Sequence, residues 1–442
     1  MDICWYNRCN LDVMKKHILN GLLFLSILLS SCSISKKISR PAKDYILNNE
    51  AFVNAHTGIS IYEPSSGKYW YNYQGDKYFV PASNTKLATC YAAMKYLGDS
   101  LIGLKYDIVN DSTVVMKTTA DPTFLHSDYI NQPVYNFLKG FHLIQMIKPS
   151  FTEFLGNGWA WNDYMDDYLA QRSSFPIFGN IAKIKWINNH TLSFKPSFFK
   201  RQSDIKENLS NGFEVLKPWD KNDFTFLNGN HKSVEIPFIP DEKTIQDLLQ
   251  DTLHQRVEIV TGYTGEANHI IYSRPTDSLL KPMMHRSDNF FAEQSLLMVS
   301  NVLMGTMNDQ KIIDTLLKTD YKSLPQKPGW VDGSGLSRYN LFSPMDFVFI
   351  LNKMKNDFGM ERIRNILPTG GTGTISSYYR EDRGYIFVKT GTLNGIVALS
   401  GFLYTKKNKL LIFSVLINNH RSSSIAIRKG IEKFIQTIRD KY

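Results

Sequence analysis

The sequence predicts an α+β protein in which helices flank an antiparallel sheet and a β-rich segment interrupts the chain. Two observations support this class. Near the C-terminus, three strand-like runs follow one another through short connections, as they do in an antiparallel sheet. Between residues 101 and 265, the chain changes to short strand-like runs set among aromatic loops. Because 442 residues exceed the size of one ordinary domain, we expect two or three domains.

The first thirty residues have the character of a targeting segment. Lys15 and Lys16 precede a mostly apolar stretch, 18–29, which is shorter than the roughly 20 residues that a membrane span needs. The stretch ends in Leu-Ser-Ser before Cys32, which resembles the signal of bacterial lipoproteins. The cysteine of such a signal is lipidated and becomes the mature N-terminus, so Cys32 is the expected lipid anchor. A plain signal peptide with an incidental cysteine is the alternative.

Residues 1–32 are therefore expected to be a lipoprotein signal peptide, with Met14 as an alternative start of translation. No later segment is apolar enough to cross a bilayer. The remainder is expected on the periplasmic side of the cell envelope, held by lipid to a membrane that the sequence does not identify. Residues 33–41 are short, basic and polar, which suits a tether between the lipid and the body.

The elements that follow are predicted from composition and from turn signals. A run of β-branched and aromatic residues, 52–62, is followed by a Ser-Ser-Gly turn and a hairpin partner at 69–73. Residues 84–97 are rich in helix formers and reach Leu97 without glycine or proline. The remaining predicted strands are 106–110, 113–117, 191–194, 234–238, 257–260, 385–389, 397–404 and 410–417, and the remaining helices are 287–304, 344–354 and 423–440.

Three short motifs occur in one order along the chain: Ser83-x-x-Lys86, Ser287-x-Asn289 and Lys389-Thr390-Gly391. A serine hydroxyl becomes a nucleophile when a base lies within hydrogen-bond reach. Ser83 falls at the start of a predicted helix, where side chains three residues apart share a face, so Lys86 can serve as that base. Burial and a neighbouring cation, for which Lys389 is the candidate, would lower the pKa of Lys86 as this role requires.

The second motif would complete the chemistry of the nucleophile. Ser287 would relay the proton, and Asn289 would hold the substrate's amide. The backbone N–H groups of Ser83 and Thr392 would form an oxyanion hole, an effect worth about 2.7 to 4 kcal/mol per donor.

The third motif predicts a substrate-binding strand. An edge strand that carries Lys389, Thr390 and Gly391 would bind the substrate backbone by strand addition. Lys389 and Thr390 would pair with the substrate's terminal carboxylate. Gly391 would let the substrate approach closely.

In their extended form, the motifs are similar to those of the D-alanyl-D-alanine carboxypeptidase/endopeptidase family, the class C low-molecular-mass penicillin-binding proteins. The segments that carry the resemblance are 81–87 (PASNTKL), 287–293 (SDNFFAE), 332–338 (DGSGLSR) and 389–393 (KTGTL). The resemblance implies an acyl-enzyme on Ser83 that cleaves the D-Ala-D-Ala terminus of peptidoglycan stem peptides, and D-Ala-diamino-acid cross-links as well. It also implies that β-lactams are covalent inhibitors.

The same resemblance implies a penicillin-binding-protein/β-lactamase-like transpeptidase domain that is split by an insert. We expect the catalytic domain in residues 33–100 and 266–442, and the β-rich inserted domain in residues 101–265. The sequence departs from the family at Ala120, where the family usually has glycine ahead of Asp-Pro. This departure affects the insert rather than the catalytic groups.

Two further residues are assigned by the resemblance alone. Asp163 would bind the free amine of the stem peptide's diamino acid, and Arg338 would face the carboxylate of that diamino acid. Each residue has a plainer interpretation. Asp163 could cap a helix over 164–169, and Arg338 could form an ion pair on the surface.

Two other functions fit part of the pattern. A β-lactamase would differ chiefly by fast deacylation, but the long separation of Ser83 from Ser287 argues against it. A catalytically idle peptidoglycan-binding protein has no chemical reason to retain Ser83, Lys86 and Lys389 together. No histidine has metal-ligand spacing and no phosphate-binding loop occurs, so neither metal nor cofactor is expected. The net charge of +10 is scattered along the chain, which argues against a nucleic-acid partner.

Overall fold

The computed structural model describes residues 35–188, 191–206, 214–227 and 233–442. The predicted signal peptide, Met14 and the lipidation site Cys32 lie outside the described residues. The helices are α1 (35–47, ending in the π-helical turn Lys43–Leu47), α2 (Lys86–Tyr96), α3 (Pro133–Leu138), α4 (Glu242–Leu253), α5 (Asp277–His285), α6 (Asn289–Met304), α7 (Asp309–Lys318), α8 (Pro344–Ile366) and α9 (Ser424–Lys441).

The strands of the described residues belong to four sheets. They are β1 (His56–Glu63), β2 (Lys68–Tyr73), β3 (Ser100–Asn110), β4 (Thr113–Lys117), β5 (Leu143–Ile147), β6 (Ile181–Asn188), β7 (Thr191–Lys195), β8 (Ser203–Lys206), β9 (Glu214–Leu216), β10 (Phe224–Leu227), β11 (Ser233–Pro237), β12 (Arg256–Val260), β13 (His269–Pro275), β14 (Ile386–Leu393), β15 (Ile396–Tyr404) and β16 (Leu410–Asn418).

Five strands form an antiparallel sheet in the order β14-β15-β16-β1-β2. The sheet is buried on both faces. Ile412 and Leu416 of β16 pack in the core that contains α2, α5, α6 and α8, whereas Phe413 and Val415 pack with α1 and α9. Burial on both faces explains why these strands are continuous apolar runs rather than alternating ones. The predicted antiparallel sheet flanked by helices is confirmed.

The segment predicted as a tether is part of this fold from residue 35 onward. Ile38, Ala42 and Ile46 of α1 are fully buried in the core formed with α9 and the sheet. Their spacing of four residues places them on one helical face, so α1 packs as an amphipathic helix. The composition of 33–41 is polar enough to suggest a tether because the buried face contributes so few residues.

The insert is organised around a second five-stranded sheet, in the order β12-β5-β4-β3-β13. β5 pairs parallel with β4 and β12, whereas β3 pairs antiparallel with β4 and β13. Two three-stranded sheets, β8-β10-β9 and β11-β6-β7, lie in the same part of the chain. Because β13 pairs with β3, the sheet of the insert continues past residue 265, where the predicted insert ends.

A buried ion cluster joins the insert to the helices. Arg172 is 1% exposed, pairs with Asp309, and lies 3.6 Å from Glu293 of α6. Its guanidinium also donates to the carbonyl oxygens of Glu153 and Leu155. Removal of one member of such a cluster leaves a buried charge without its partner, which is strongly destabilising. The cluster therefore holds the insert firmly beside α6.

Two local features depart from the sequence pattern. α8 reaches Ile366, well beyond the predicted end at 354, as two helical parts that meet in a kink at Gly359, whose φ of 73° and ψ of 162° are not helical. Ala120 has a φ of 65°, the left-handed conformation that glycine adopts most easily. Gln294 donates to its carbonyl oxygen at 2.9 Å, so a tertiary contact holds this conformation. None of the helices in the described part of the chain has the length and apolar content that a membrane span requires.

Candidate active site

Ser83 lies at the entry to α2, as the sequence predicts. It belongs to a 3-10 turn, Ala82–Thr85, that runs directly into α2 at Lys86. The side-chain amide of Asn84 donates to Ser400 Oγ of β15 at 2.6 Å. The turn is thereby fastened to the sheet, and the side chains of Ser83 and Lys86 meet on one face of it.

Lys86 makes three short contacts in a fully buried position. Its Nζ lies 2.9 Å from Ser83 Oγ, 2.6 Å from Asn289 Oδ1 and 2.8 Å from the Ser334 carbonyl oxygen. The last two oxygens can only accept hydrogen bonds. A neutral Lys86 therefore donates its two N–H groups to them, and its lone pair is directed at the Ser83 hydroxyl. This is the orientation that a general base needs.

The two acceptors are themselves held in place. Asn289 Nδ2 donates to the Tyr168 carbonyl oxygen at 3.0 Å, which turns the Asn289 Oδ1 toward Lys86. The Ser334 N–H donates to Glu293 Oε1 at 2.7 Å, which orients the peptide of Ser334. The position of the lysine amine is thus set by contacts that exist before substrate arrives.

The buried carboxylate of Asp332 organises the loop 332–340. It accepts hydrogen bonds from the N–H groups of Gly335 at 2.7 Å and Ser337 at 2.6 Å. Trp159 Nε1 of the insert donates to the same carboxylate at 3.0 Å. The insert therefore contacts the loop 332–340, which forms a wall of the site, in addition to the helices behind that wall.

Burial lowers the pKa of Lys86 to about 8. The carboxylates of Asp332, Glu293 and Asp288 oppose this shift. Burial also holds the pKa of Lys389 well below its usual value, and the charge of Lys86 adds to that effect. Desolvation, rather than the predicted neighbouring cation Lys389, is therefore what lowers the pKa of Lys86.

The second hydroxyl contacts the second buried lysine. Lys389 Nζ lies 2.8 Å from Ser287 Oγ and 2.8 Å from the Thr390 carbonyl oxygen. Ser287 has a φ of 63° in the link between α5 and α6. Asp288 caps α6 by accepting the Phe291 N–H at 2.9 Å. The start of α6 thereby places the Asn289 amide at Lys86 and brings Ser287 into the cleft that Ser83 lines.

β14 is the edge strand of its sheet, as the third motif predicts. The segment 368–369 pairs with the beginning of this edge and leaves the part with the Lys-Thr-Gly motif open to the cleft. A Cβ at Gly391 would lie 2.6 Å from the Pro81 carbonyl oxygen and 3.1 Å from the Ser83 nitrogen. The close approach that Gly391 permits is therefore to the turn that holds Ser83, whereas the prediction assigned it to the substrate.

These groups open on one cleft of about 880 Å³. The predicted site residues that line it are Ser83, Ser287, Asn289, Thr390, Thr392, Asp163 and Arg338. Lys86, Lys389 and Gly391 lie directly behind this lining and are buried. Within the described ranges, no group of three or more His, Cys, Asp or Glu side chains could hold a metal ion.

Asp163 lies in the wall of the cleft, in the 3-10 turn Trp161–Asp163. Burial, together with hydrogen bonds to Asp163 and Asp166, raises the pKa of the neighbouring phenol of Tyr168. The stretch 164–169, all of it described, contains a single 3-10 turn and no α-helix. The alternative in which Asp163 caps a helix is therefore wrong.

Arg338 is an exposed residue of the same cleft. Its Nη2 donates to the Asn394 carbonyl oxygen at 3.1 Å. No carboxylate in the described part of the chain forms an ion pair with it, so the alternative of a surface ion pair has no support. The guanidinium is free to meet an anionic group of a ligand.

Arg428 is a cleft residue that the motifs do not indicate. It lies on α9, and its Nη2 donates to Thr392 Oγ1 at 2.6 Å. Two hydroxyls close by, those of Thr374 and Thr390, are bonded to each other at 2.7 Å. Like Arg338, Arg428 has no carboxylate partner among the described residues. A single arginine in a predicted helix carries no sequence signal, because only the packing of α9 against β15 brings it here.

Two buried carboxylates are also absent from the predicted site. Glu293 and Asp332 orient the peptides around Lys86, and burial raises the pKa of Glu293 to about 7. Both fall inside the segments 287–293 and 332–338 that carry the family resemblance. Their position inside these segments is the sequence signal from which the two carboxylates could have been predicted.

Comparison with protein families decides the relationship that these motifs suggest. Residues 41–206 and 227–438 match the D-Ala-D-Ala carboxypeptidase 3 (S13) family. The chain belongs to this family. Ser83, Ser287 and Lys389 all lie within the matched ranges.

The curated relatives are similar to this chain over different lengths. The D-alanyl-D-alanine carboxypeptidase DacB of Haemophilus influenzae is 29% identical over 194 residues, which are 40% of this chain and 38% of that relative. The carboxypeptidase DacB of Mycolicibacterium smegmatis is likewise matched over only 35% of its length. The penicillin-sensitive carboxypeptidase A of Dictyostelium discoideum is 21% identical over 452 residues, with 85% of each chain covered.

Solved structures show how widely this fold is shared. The crystal structure of penicillin binding protein 4 of Haemophilus influenzae has a TM-score of 0.71 at 19% identity and covers 91% of this chain and 98% of its own. A predatory endopeptidase of Bdellovibrio bacteriovorus, solved with its immunity protein, has a TM-score of 0.55 at 14% identity and covers 87% and 94%. The predicted penicillin-binding-protein fold is confirmed.

Proposed function

We propose that this protein is a serine DD-peptidase that cleaves the D-Ala-D-Ala terminus of peptidoglycan stem peptides through an acyl-enzyme on Ser83. The observation that carries the proposal is the buried amine of Lys86, which two fixed acceptors direct at the Ser83 hydroxyl. The names of the curated relatives, which are carboxypeptidases, support the substrate class.

In the acylation step, Ser83 Oγ attacks the carbonyl carbon of the penultimate D-alanine while Lys86 takes the hydroxyl proton. The oxygen of the tetrahedral intermediate is bound by the N–H groups of Ser83 and Thr392. The amide C–N bond then breaks as Ser287 gives its hydroxyl proton to the leaving amine and takes in its place the proton held by Lys86, which becomes neutral again. In deacylation, Lys86 takes a proton from the water that attacks the ester carbonyl. The bond to Ser83 Oγ then breaks, and Lys86 returns that proton to Ser83 Oγ.

The terminal carboxylate of the substrate would lie between the open edge of β14 and α9. Lys389 and Thr390 form one side of this position, and Arg428 adds a second cation that no protein carboxylate neutralises. A guanidinium and a carboxylate can form two parallel hydrogen bonds, so Arg428 would fix the orientation of the leaving residue as well as attract it.

The side chain of the diamino acid would be recognised at the rim of the cleft, which consists of Asp163 and Arg338. Asp163 would bind its free amine, and Arg338 would face its carboxylate. A cross-link places a second diamino acid, that of the neighbouring stem peptide, on the leaving side of the scissile bond, and its amine is the leaving group. The protein is therefore proposed to cleave D-Ala-diamino-acid cross-links with the same groups.

The protein is further proposed to be a lipoprotein on the periplasmic side of the cell envelope. The support is the sequence of the first 32 residues, with the apolar stretch and the small residues before Cys32. Peptidoglycan stem peptides are the substrates in that location, and β-lactams would enter the site as mimics of their terminus.

The first test is intact-mass spectrometry of the purified protein after incubation with benzylpenicillin, beside the Ser83→Ala variant. A single lasting adduct on the wild type that is missing from the variant is expected, because the penicillin acyl group would remain on Ser83. The purified stem pentapeptide should then lose its terminal D-alanine in the presence of the wild type alone.

Other outcomes of this experiment identify the rival functions. Rapid hydrolysis of benzylpenicillin without a lasting adduct would point to a β-lactamase. No adduct, no hydrolysis and no release of D-alanine would favour an idle peptidoglycan-binding protein of the same fold. An adduct that persists in the Ser83→Ala variant would show that another residue is the nucleophile.

A further inference from the structure

Five cationic side chains converge on a surface that is separate from the cleft. They line a groove of about 430 Å³ together with the aromatic ring of Tyr442. We call this set the basic face; its cations are Lys36, Lys37 and Arg40 of α1, Lys407 of the β15–β16 turn, and Lys441 at the end of α9.

The basic face is built by packed elements. α1 is buried against α9 through Ile38 and Ala42. The N–H of Lys407 donates to the Tyr442 carbonyl oxygen at 2.8 Å, and the N–H of Lys406 donates to that of Arg439 at 2.9 Å. The β15–β16 turn is thereby fixed to the end of α9, so the cations are presented together by a rigid surface.

Little negative charge opposes these cations. Among the described residues, Arg40 lies 3.9 Å from Asp44, and no carboxylate forms an ion pair with any of the four lysines. Asp440 is close, but it is paired with Lys406 at 3.0 Å. Even with the negative charge of Asp44 counted, the five cations give the face an excess of positive charge.

The position of the face along the chain points to its occupant. The predicted anchor, Cys32, precedes the first described residue of α1 by three residues, which can span at most about 11 Å. Lipid attached at Cys32 would therefore bring Lys36 and Lys37 to the level of the headgroups. A juxtamembrane cluster of basic residues is attracted to anionic phospholipids within about a Debye length of the surface.

We propose that the basic face rests on the anionic phospholipid headgroups of the membrane that holds the Cys32 lipid. The inference rests on the proposed lipid anchor and is independent of the catalytic proposal. It gives the body a fixed orientation on the membrane, where a lipid alone would leave it free to tumble.

The orientation has a consequence for the active site. The β15–β16 turn lies at one end of the first sheet, whereas the cleft lies at the other end, where β14 turns into β15. The nine residues of β15 separate the two ends by about 30 Å. α9 spans the same direction, with Arg428 at the cleft and Lys441 at the basic face. With the basic face on the membrane, the cleft lies at the end of the sheet that is remote from the lipid, on the side of the peptidoglycan.

The test is amide hydrogen exchange on the full-length protein, purified with its native N-terminus and reconstituted into phosphatidylcholine vesicles with or without phosphatidylglycerol. Exchange in residues 36–40 and 406–409 should slow several-fold on the anionic vesicles only, and high salt should reverse the effect. The triple variant Lys36→Glu/Lys37→Glu/Lys407→Glu should lose this protection.

Two further samples keep the test decisive. The variant Lys407→Glu/Lys441→Glu leaves the N-terminal segment unchanged and should also lose protection. The matched control, Lys311→Glu/Lys318→Glu/Lys322→Glu, removes three exposed lysines of another surface and should keep it.

The inference is overturned if protection is equal on neutral vesicles, if it survives in the charge-reversed variants, or if intact mass shows no acyl chain on the purified protein. Penicillin labelling of the same samples reports the catalytic proposal separately. Protection by soluble anionic wall polymer but not by anionic vesicles would also contradict a membrane partner.

Discussion

The floor and the rim of the cleft are built in opposite ways. On the floor, Lys86 and Lys389 are fully buried, and both contact a serine hydroxyl at hydrogen-bond distance. At the rim, Arg338 is exposed and Asp163 half-buried, and the bonds they make are to a main-chain carbonyl and to one phenol. The contacts of the floor are thus formed before a substrate binds, whereas the groups proposed to recognise the substrate are accessible to solvent.

This difference predicts how substitutions should divide between kcat and KM. Groups on the floor act on atoms that react, so their loss should lower kcat. Groups at the rim bind parts of the substrate that do not react, so their loss should act mainly on KM. Arg428 is intermediate between the floor and the rim, because it is half-buried and hydrogen-bonded to β14, the proposed substrate-binding strand.

The largest effect is expected from Lys86→Met. Removal of the general base should lower the rate of penicillin acylation by about 10²- to 10⁴-fold, with little change in the affinity of the first complex. Stopped-flow measurement of acylation over a range of penicillin concentrations separates the two quantities. Lys318→Met, an exposed lysine of α7, is the control and should acylate like the wild type. A rate in Lys86→Met close to that of the wild type would mean that the floor uses another base.

The pH dependence of acylation is the next largest effect. Because the pKa of Lys86 is lowered to about 8, the neutral amine that accepts the Ser83 proton predominates only above that pH. The acylation rate should therefore rise with pH, by a factor of about ten per unit well below the pKa, reach half of its maximum near pH 8 and level off above it. A profile that falls between pH 6 and 8 would require Lys86 to act in its charged form.

A smaller effect is expected from Arg428→Gln. A hydrogen bond to a charged group contributes about 1.5 to 3 kcal/mol, so kcat/KM for a D-Ala-D-Ala peptide should fall by about 10- to 100-fold. Arg428→Lys should restore part of the loss, since it keeps the charge. A peptide with a C-terminal amide should be cleaved equally by wild type and variant. An equal loss for the acid and the amide would show that Arg428 only supports the strand through Thr392.

The smallest effect is expected from Asp163→Asn at the rim. A half-exposed ion pair is typically worth about 0.2 to 1 kcal/mol, so KM for a substrate with a free diamino-acid amine should rise by about 1.4- to fivefold. The same substrate with an acetylated amine should show no difference. Asp167→Asn, on the exposed 3-10 turn nearby, is the matched control. A change in kcat instead of KM would place Asp163 on the catalytic floor.

The chemistry of the floor could be predicted because each part of it is encoded locally. Ser83 and Lys86 are one helical turn apart, so the run from one to the other already places the amine at the hydroxyl. The apolar runs of β15 and β16 and the short link between them predict an antiparallel sheet in the same way. For these features, residues close in sequence supply most of the contacts.

What only the tertiary structure decided depends on contacts between distant parts of the chain. Arg428 lies in the cleft because α9 packs against β15, and no local sequence pattern predicts that packing. The second five-stranded sheet gains β13 by pairing with β3, more than 160 positions earlier in the sequence. The sequence predicts that burial and the cation Lys389 together lower the pKa of Lys86, whereas in the structure burial alone lowers it. Burial depends on the whole fold, because it results from all the neighbouring residues that exclude water. The sequence lists these residues but does not show which of them come into contact.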